Sequence, residues 1–216
     1  MTLFTSWSTY PEAVEVYNNT LRNWPSLQPH ANIILFTNDV LPDVTKQLGW
    51  MVLPLKRQIK GHPVLKQMFI EAMKLQPNSK LHGFANGDIL FTNSFINSLL
   101  EIANSPLLVN KTYMVVGRRM STPNVTRDEA SSWETIGKAA ERGTLMNKIC
   151  GIDYFLTSPD YHWKDIPDVQ IGRNYYDNWL VWDARRKGYE VIDATDTLLA
   201  VHQIRALPET TRENGQ

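Results

Sequence analysis

The 216 residues are 43% hydrophobic and 20% charged, and 22 Lys plus Arg balance 22 Asp plus Glu to a formal net charge of zero. This composition is typical of a folded globular protein and excludes an intrinsically disordered chain. The charge balance argues against a nucleic-acid partner, an acidic tail or a basic membrane anchor, and no apolar stretch approaches the ~18 residues that span a bilayer.

Strand-like and helix-like patterns alternate along the chain. The predicted strands lie at 2–5, 33–36, 50–53, 80–85, 112–116, 152–157 and, as the last, 191–192. The predicted helices open at Pro11 and at Pro63 and cover about 94–103, 128–142 and 177–187, with a polar excursion over 117–144. This succession predicts parallel strands joined by crossover helices, which is an α/β layered fold.

The chain shows no internal repeat and no linker-like segment, so we expect one compact domain over 1–216, with halves at about 1–116 and 117–204 and a flexible tail at 205–216. Its single cysteine, Cys150, cannot form an internal disulfide and is expected to be a buried small residue. The first ten residues lack the features of a signal peptide. These observations predict a soluble cytoplasmic protein, or a domain of a longer one.

In α/β sheets, ligands bind at the carboxyl ends of the strands, so polar residues that follow apolar runs are candidate site residues. They occur here at 5–7, 38–39, 86–88 and 117–119. The glycine-rich phosphate loops, the Gly-x-Ser-x-Gly elbow and His-Glu-x-x-His are missing from the sequence. Their absence removes most dehydrogenases, P-loop ATPases, serine hydrolases and zincins.

The most informative segment is Asn86-Gly87-Asp88, which interrupts two apolar runs. We expect Gly87 to let the backbone turn sharply, so that Asp88 projects from the sheet edge. A carboxylate in that position suits Mg²⁺ or Mn²⁺ bridging the oxygens of a diphosphate. The alternative, of equal weight on this segment alone, is a turn in which the triplet satisfies only its own backbone.

A second cluster surrounds the start of the helix predicted at Asp177. An N-cap role would account for Asp177 alone. The neighbouring residues favour function over capping, because aromatic faces beside hydrogen-bonding groups suit a sugar ring. These neighbours are Arg173, Tyr176, Asn178 and Trp179.

Isolated cations and histidines carry weaker signals. His202 follows the apolar stretch 198–201, but a lone histidine is more often structural than metal-bound; the other four histidines have less to recommend them. Lys66, Arg118 and Arg119 are candidates for neutralising phosphate or binding acceptor hydroxyls, against a default of surface solvation.

Together these segments resemble the GT-A type glycosyltransferases of the nucleotide-diphospho-sugar transferase superfamily, over about residues 2–204. The resemblance rests on the order of an N-terminal Leu-Phe-Thr strand, Asn86-Gly87-Asp88, Asp177-Asn178-Trp179-Leu180 and Val201-His202-Gln203. It implies a three-layer α/β/α sandwich around a mixed, mostly parallel sheet, with a donor half before about residue 117 and an acceptor half after it. It also implies a hexosyltransferase that moves a sugar from a nucleotide-sugar donor, such as a UDP-sugar, to a glycan or another hydroxyl acceptor.

Carried over by position, the resemblance assigns Asp88 and His202 to a divalent metal, Mn²⁺ or Mg²⁺, and makes Asp177 the catalytic or acceptor-orienting carboxylate. The implied donor-binding residues are Thr5, Ser6, Trp7, Asn38, Asp39, Lys66, Asn86, Gly87 and Asp88. The implied acceptor-binding residues are Arg118, Arg119, Asp153, Arg173, Tyr176, Asn178 and Trp179. Asn86 departs from the family pattern, because it stands where the triplet has its first acid, and the missing charge predicts weaker metal affinity.

Two alternatives stay open. A sugar nucleotidyltransferase has a related architecture, although its glycine-rich basic loop is missing at 5–10. A non-catalytic carbohydrate- or nucleotide-binding domain of the same fold would explain Asn86. For a transferase, Asp177 would be the general base if the reaction inverts the sugar, and would orient the acceptor or stabilise the cationic transition state if it retains configuration.

Overall fold

The computed structural model describes residues 1–7, 13–147 and 151–205, so the predicted helix start at Pro11, Cys150 and all of the predicted tail except Arg205 lie outside it. The strands are β1 (Thr2–Ser6), β2 (Asn32–Phe36), β3 (Met51–Leu53), β4 (Gln58–Ile59), β5 (His62–Pro63), β6 (His82–Ala85), β7 (Ile89–Phe91), β8 (Tyr113–Arg118), β9 (Met120–Pro123), β10 (Thr144–Leu145), β11 (Ile152–Thr157), β12 (Glu190–Asp193) and β13 (Ala200–Ile204). The helices are α1 (Val14–Asn23), α2 (Val44–Gln47), α3 (Leu65–Leu75), α4 (Asn93–Ala103), α5 (Trp133–Ala140) and α6 (Tyr176–Arg186).

The central sheet has seven strands in the order β12-β8-β11-β6-β1-β2-β3. Within the described residues, its pairs are parallel except those of β11, which is antiparallel to both β6 and β8. Successive side chains point to opposite faces, so Leu3 packs on the side of α1 and α4, whereas Phe4 packs on the side of α3 and α6. The predicted three-layer α/β/α sandwich around a mostly parallel sheet is therefore confirmed.

A second sheet, in the order β10-β9-β13-β7, packs against α5 through a separate apolar cluster that includes Leu90, Ile136 and Val201. Two of its strands correct the sequence-based prediction. The polar excursion contains β9, and β12 is followed by a further strand, β13. Both were missed because buried polar side chains break the apolar pattern; Thr122 in β9 is 0% exposed and Gln203 in β13 is 5% exposed.

The start of α3 also differs from the prediction. Pro63 lies in the two-residue strand β5, which pairs with β4, and the helix begins two residues later at Leu65. Lys60 and Gly61 both have positive φ, at 51° and 81°, as a tight two-residue hairpin turn requires. A Lys-Gly pair is a weaker turn signal than Asn-Gly, so the hairpin was not predicted.

Among the helices that the structure describes, none combines the length and the apolar character needed to cross a bilayer.

Candidate functional site

The carboxyl ends of β1, β2, β6 and β8 lie at one edge of the central sheet, where the polar segments that follow them converge. The antiparallel strand β11 starts at this same edge, since Ile152 pairs with Arg118 and Tyr154 pairs with Ala85. The insertion of β11 places Asp153 between the ends of its two neighbours. One sheet edge therefore carries most of the predicted site residues.

Asp88 and His202 face each other at this edge. Asp88 follows β6 and precedes β7, and His202 lies on β13 opposite Ile89. The His202 Nε2 atom is 3.1 Å from the Asp88 Oδ2 atom, and the two side chains are 18% and 32% exposed. The second polar atom of each, Asp88 Oδ1 and His202 Nδ1, is buried with no hydrogen-bond partner among the described residues. These two unpaired atoms can form bonds to a ligand.

Gln203 fixes the backbone that carries Asp88. Both its main-chain N–H and its side-chain Nε2 donate to the Asp88 carbonyl oxygen, at 3.2 Å each. Its Oε1 accepts a hydrogen bond from Asn19 Nδ2 at 2.9 Å, which ties the turn to α1. Gln203 belongs to the Val201-His202-Gln203 segment of the family resemblance, but no role was predicted for it. The signal in the sequence was its position, two residues after the apolar run 198–201.

Asp153 and Arg119 form a largely buried ion pair beside the turn. Arg119 Nη1 lies 2.6 Å from Asp153 Oδ2, and Asp153 is 5% exposed. Burial raises the pKa of the Asp153 carboxyl, the nearby charge of Asp88 raises it further, and Arg119 and His202 oppose the shift. The main-chain carbonyl of Asp153 also accepts a hydrogen bond from the Asn86 N–H at 2.9 Å, which ties the start of the turn to β11.

Tyr176 brings the first turn of α6 to the same place. Its hydroxyl donates to Asn86 Oδ1 at 3.5 Å. Burial, together with the charges of Asp153, Asp177 and Asp88, holds the pKa of Tyr176 above its ordinary value. The N-cap of α6 is Tyr175, in a left-handed conformation at φ 66°, so the capping role considered for Asp177 is wrong.

Gly87 is needed for a close approach rather than for a turn angle. Its φ is not among the positive values of the chain. A Cβ atom at this position would lie 2.5 Å from Cε3 of Trp7, whose ring is 6% exposed and stacks on Tyr17 at 4.8 Å. Glycine thus lets the Asp88 turn pack directly on the indole.

We predict that Gly87→Ala lowers the free energy of unfolding by about 2 kcal/mol, because the methyl group overpacks the Trp7 ring. Chemical denaturation measures the change. Gly137→Ala in α5 is the matched control, since nothing lies within 4 Å of its added Cβ; helix propensity favours that variant by about 1 kcal/mol. Equal stabilities for the two variants would contradict the close approach.

Two of the predicted donor residues at the end of β1, Ser6 and Trp7, line a cavity of about 280 Å³, whereas Thr5 is fully buried. The hydroxyl oxygens of Thr5 and Ser6 are buried and find no hydrogen-bond partner in the part of the chain described. The hairpin β4–β5 forms the opposite wall with Lys60 and His62, both missed by the sequence-based prediction. The full lining is Ser6, Trp7, Lys60, Gly61, His62, Pro63 and Ile171.

Other predicted donor residues make structural contacts. The Asn38 side chain exchanges two hydrogen bonds with the backbone of Leu55, at 2.9 and 3.3 Å. The Asp39 N–H donates to Thr37 Oγ1 at 3.1 Å. Lys66 forms an ion pair with Asp168 at 3.0 Å, and the pKa of Asp168 is lowered by this hydrogen bond.

The remaining predicted acceptor residues have differing surroundings. Arg118 Nη1 donates to the Met146 carbonyl at 3.1 Å, while its Nε is buried without a partner within the described ranges. Arg173 is exposed. Asn178 and Trp179 are partly buried on α6, and the Trp179 ring centroid is 6.5 Å from that of Trp182.

No protein-family model and no curated protein matches the chain. Solved structures do. A mannosyltransferase from Pyrobaculum calidifontis, in complex with GDP-Man and Mn²⁺, aligns at 13% identity and TM-score 0.52, over 97% of this chain and 57% of that one. A glycosyltransferase involved in glycosylation of the major capsid of PBCV-1 aligns at 10% identity and TM-score 0.50, over 93% of this chain and 92% of that one. The fold is GT-A-like. The inositol-1-phosphate CTP transferase from T. maritima aligns at 12% identity and TM-score 0.49, over 93% and 88% of the two chains.

Within this GT-A-like fold, a cavity of about 660 Å³ lies at the opposite sheet edge, next to residues 159–165 that follow β11. As far as the described residues go, its lining includes none of the predicted site residues. The described ranges also contain no group of three or more His, Cys, Asp or Glu side chains that could hold a metal ion. The Asp88–His202 pair is thus a two-residue cluster.

Proposed function

We propose that this protein is a glycosyltransferase that moves a sugar from a nucleotide-diphosphate donor to a hydroxyl acceptor with the help of a divalent cation. The observation that carries the proposal is the Asp88–His202 pair, with atoms 3.1 Å apart at the carboxyl edge of the sheet. The similarity in fold to a mannosyltransferase that was solved with GDP-Man and Mn²⁺ supports it.

The spacing of the pair fits a shared cation. Two ligands at right angles, each about 2.1 Å from one ion, lie about 3 Å apart. Mg²⁺ is commonly held by one or two protein ligands together with substrate phosphates and water, so a site without a third acidic or imidazole ligand is sufficient. The imidazole of His202 favours Mn²⁺ over Mg²⁺. Asn86 in place of an acid keeps the protein's own charge at this site low.

The donor would bind between the end of β1 and the Asp88 turn. The cavity beside Ser6 and Trp7 supplies a ring surface and a hairpin wall, and the unpaired hydroxyl of Ser6 can bond to a ribose or a base. From that cavity, the diphosphate would extend past Gly87 to the Asp88–His202 pair. We propose a uridine diphosphate sugar as the first donor to test.

In the reaction, the acceptor oxygen forms a bond to the anomeric carbon, and the bond from that carbon to the diphosphate breaks, with the electron pair leaving on the diphosphate. A bound cation supplies charge compensation for that leaving group. Asp177 receives the acceptor proton if the reaction inverts the sugar, and otherwise orients the acceptor. Arg119, held by Asp153, adds a fixed positive charge close to the same turn.

A non-catalytic binding domain is the second candidate, because Asn86 replaces an acid of the usual triplet. Such a domain would bind a nucleotide sugar or a glycan without turning it over. A sugar nucleotidyltransferase would instead consume a nucleoside triphosphate and release pyrophosphate.

A donor panel separates these functions. The protein is incubated with UDP-, GDP-, CDP- and dTDP-sugars and mixed mono- and oligosaccharide acceptors, with Mn²⁺, Mg²⁺ or a chelator. A parallel set contains nucleoside triphosphates with sugar 1-phosphates. We expect one class to release its nucleoside diphosphate in a way that needs acceptor and cation. Nucleotide binding without release would favour the binding domain, pyrophosphate release from a triphosphate would favour the nucleotidyltransferase, and no nucleotide binding would overturn the proposal.

A further inference from the structure

Three aromatic residues at the start of α6 and along it, Tyr175, Trp179 and Trp182, are named the aromatic stripe here. Trp179 and Trp182 lie three residues apart on α6, with ring centroids 6.5 Å apart, and Tyr175 is the left-handed N-cap residue just before the helix. Tyr175 is 73% exposed and Trp182 is 56% exposed. Trp179, between them in sequence, is partly buried and packs against the apolar cluster beneath α6. Exposed aromatic rings on either side of a partly buried one are candidates for a ligand surface.

The rest of this face is polar but carries no acid. Its other outward residues are Asn178, Arg185 and Arg186, and Asp183 faces inward at 1% exposure. The Arg186 guanidinium lies 5.3 Å from the centre of the Trp182 ring and also pairs with Asp183 at 2.7 Å, which orients the indole. Flat rings beside amide and guanidinium donors match the alternating C–H faces and hydroxyl groups of a sugar.

The aromatic stripe begins next to the candidate site. Tyr175 directly precedes Tyr176, whose hydroxyl contacts Asn86, and Asp177 follows in the same turn. A chain of sugars lying on the stripe would therefore end at the carboxylates of the site. We propose that the stripe binds an extended oligosaccharide acceptor, with several sugar units outside the site and the terminal one inside it. This inference rests on the proposed transfer reaction and adds its acceptor class.

Two other occupants fit the face less well. A helix that lies on a membrane presents a broad apolar face of aliphatic and aromatic side chains, whereas Leu180 of α6 is buried in the core and no Leu, Ile or Phe lies on the outward face. A second protein chain needs a larger apolar area than three rings interrupted by Asn178 provide.

Calorimetry measures the direct binding of hexasaccharides to the protein and compares each with its monosaccharide. The sugars are glucose, mannose, galactose, N-acetylglucosamine and xylose. We expect one hexasaccharide to bind more tightly than its monosaccharide, and Trp182→Ala to weaken that binding about 10-fold. Trp182→Phe, which keeps a ring, should restore most of it. Leu107→Ala is the control for losing an exposed apolar side chain, since Leu107 is 78% exposed at the opposite sheet edge.

Nucleotide binding, measured on the same samples with UDP and GDP and Mn²⁺, keeps the two proposals apart. If a nucleotide binds but no hexasaccharide does, or if Trp182→Ala binds a hexasaccharide as the parent protein does, the acceptor stripe is overturned. Trp182-dependent binding to anionic lipid vesicles without glycan binding would overturn it as well. If a hexasaccharide binds through Trp182 and no nucleotide binds, the carbohydrate surface stands and the transfer reaction fails. Thermal melting of each variant confirms folding, which the exposure of Trp182 leads us to expect.

Discussion

Asp88→Asn should lower sugar transfer at least about 1,000-fold, and it should abolish any effect of Mn²⁺ on nucleotide binding. Asp88 is the carboxylate that faces His202, with their atoms 3.1 Å apart, and the amide of Asn has the same shape without the charge. Loss of that charge removes the main attraction for a cation beside the diphosphate. Turnover assays and calorimetry with UDP and GDP, each with and without Mn²⁺, measure the two effects separately.

Asp177→Asn provides the sharpest comparison, because its carboxylate is assigned to the acceptor side of the same site. We expect this variant to lose transfer while keeping Mn²⁺-dependent nucleotide binding nearly intact. Asp165→Asn is the neutral control, since Asp165 is exposed on a short turn beside the opposite sheet edge. Mn²⁺-dependent nucleotide binding that survives Asp88→Asn would place the cation elsewhere, and unchanged turnover in Asp177→Asn would remove that residue from the mechanism.

The sequence predicted the central layers of the fold because several strands are covered on both faces. Strand β2 appears as the uninterrupted apolar run 33–36, and strand β11 matches its predicted range 152–157. Such runs need no tertiary information to be recognised. The helices α4 and α6 were likewise predicted to within one residue at their starts, α6 with the help of the cations and the glycine at its end.

Strands that are held in the core by polar contacts could not be predicted from the sequence. Gln203 is buried in β13 because its side chain bonds to Asn19 and to the Asp88 carbonyl, and both partners are remote in the chain. Thr122 is fully buried in β9 although its sequence neighbourhood is polar. An apolar pattern reports burial only where burial is driven by apolar contact. The sheet that positions His202 was therefore missed, although His202 itself was a candidate.

The sequence indicated which residues gather at this sheet edge, but it did not indicate which of them contact one another. The strand-end rule correctly brings Asn86, Asp88 and Arg119 to one edge. The Arg119–Asp153 ion pair depends on β11 running antiparallel between β6 and β8, and an apolar run carries no information about strand direction. The hairpin at Lys60 was missed for a different reason. Its turn is marked by two positive φ angles, which a Lys-Gly pair indicates only weakly.

That ion pair leads to the largest expected change in stability. Arg119→Met should lower the free energy of unfolding by about 3 kcal/mol at neutral pH, because it leaves the Asp153 carboxylate, 5% exposed, without its partner. The cost depends on pH. Burial already raises the pKa of Asp153, so the folded state holds this proton more tightly than the unfolded state, and stability falls as pH rises above 3.8, the ordinary value. Without the opposing charge of Arg119, the pKa rises further and the fall extends to higher pH.

The difference between Arg119→Met and the parent protein should therefore be widest at neutral pH and shrink towards pH 3.8, where the carboxyl becomes neutral in both. Urea denaturation across this range measures it. The double variant Arg119→Met/Asp153→Asn should recover most of the loss and flatten the pH profile, because no buried charge remains. Lys56→Met, which breaks the exposed pair with Glu71, should cost less than about 1 kcal/mol. An Arg119→Met protein as stable as the Lys56→Met protein at neutral pH would mean that the Asp153 charge finds water or another cation, and that Arg119 is free to contact substrate.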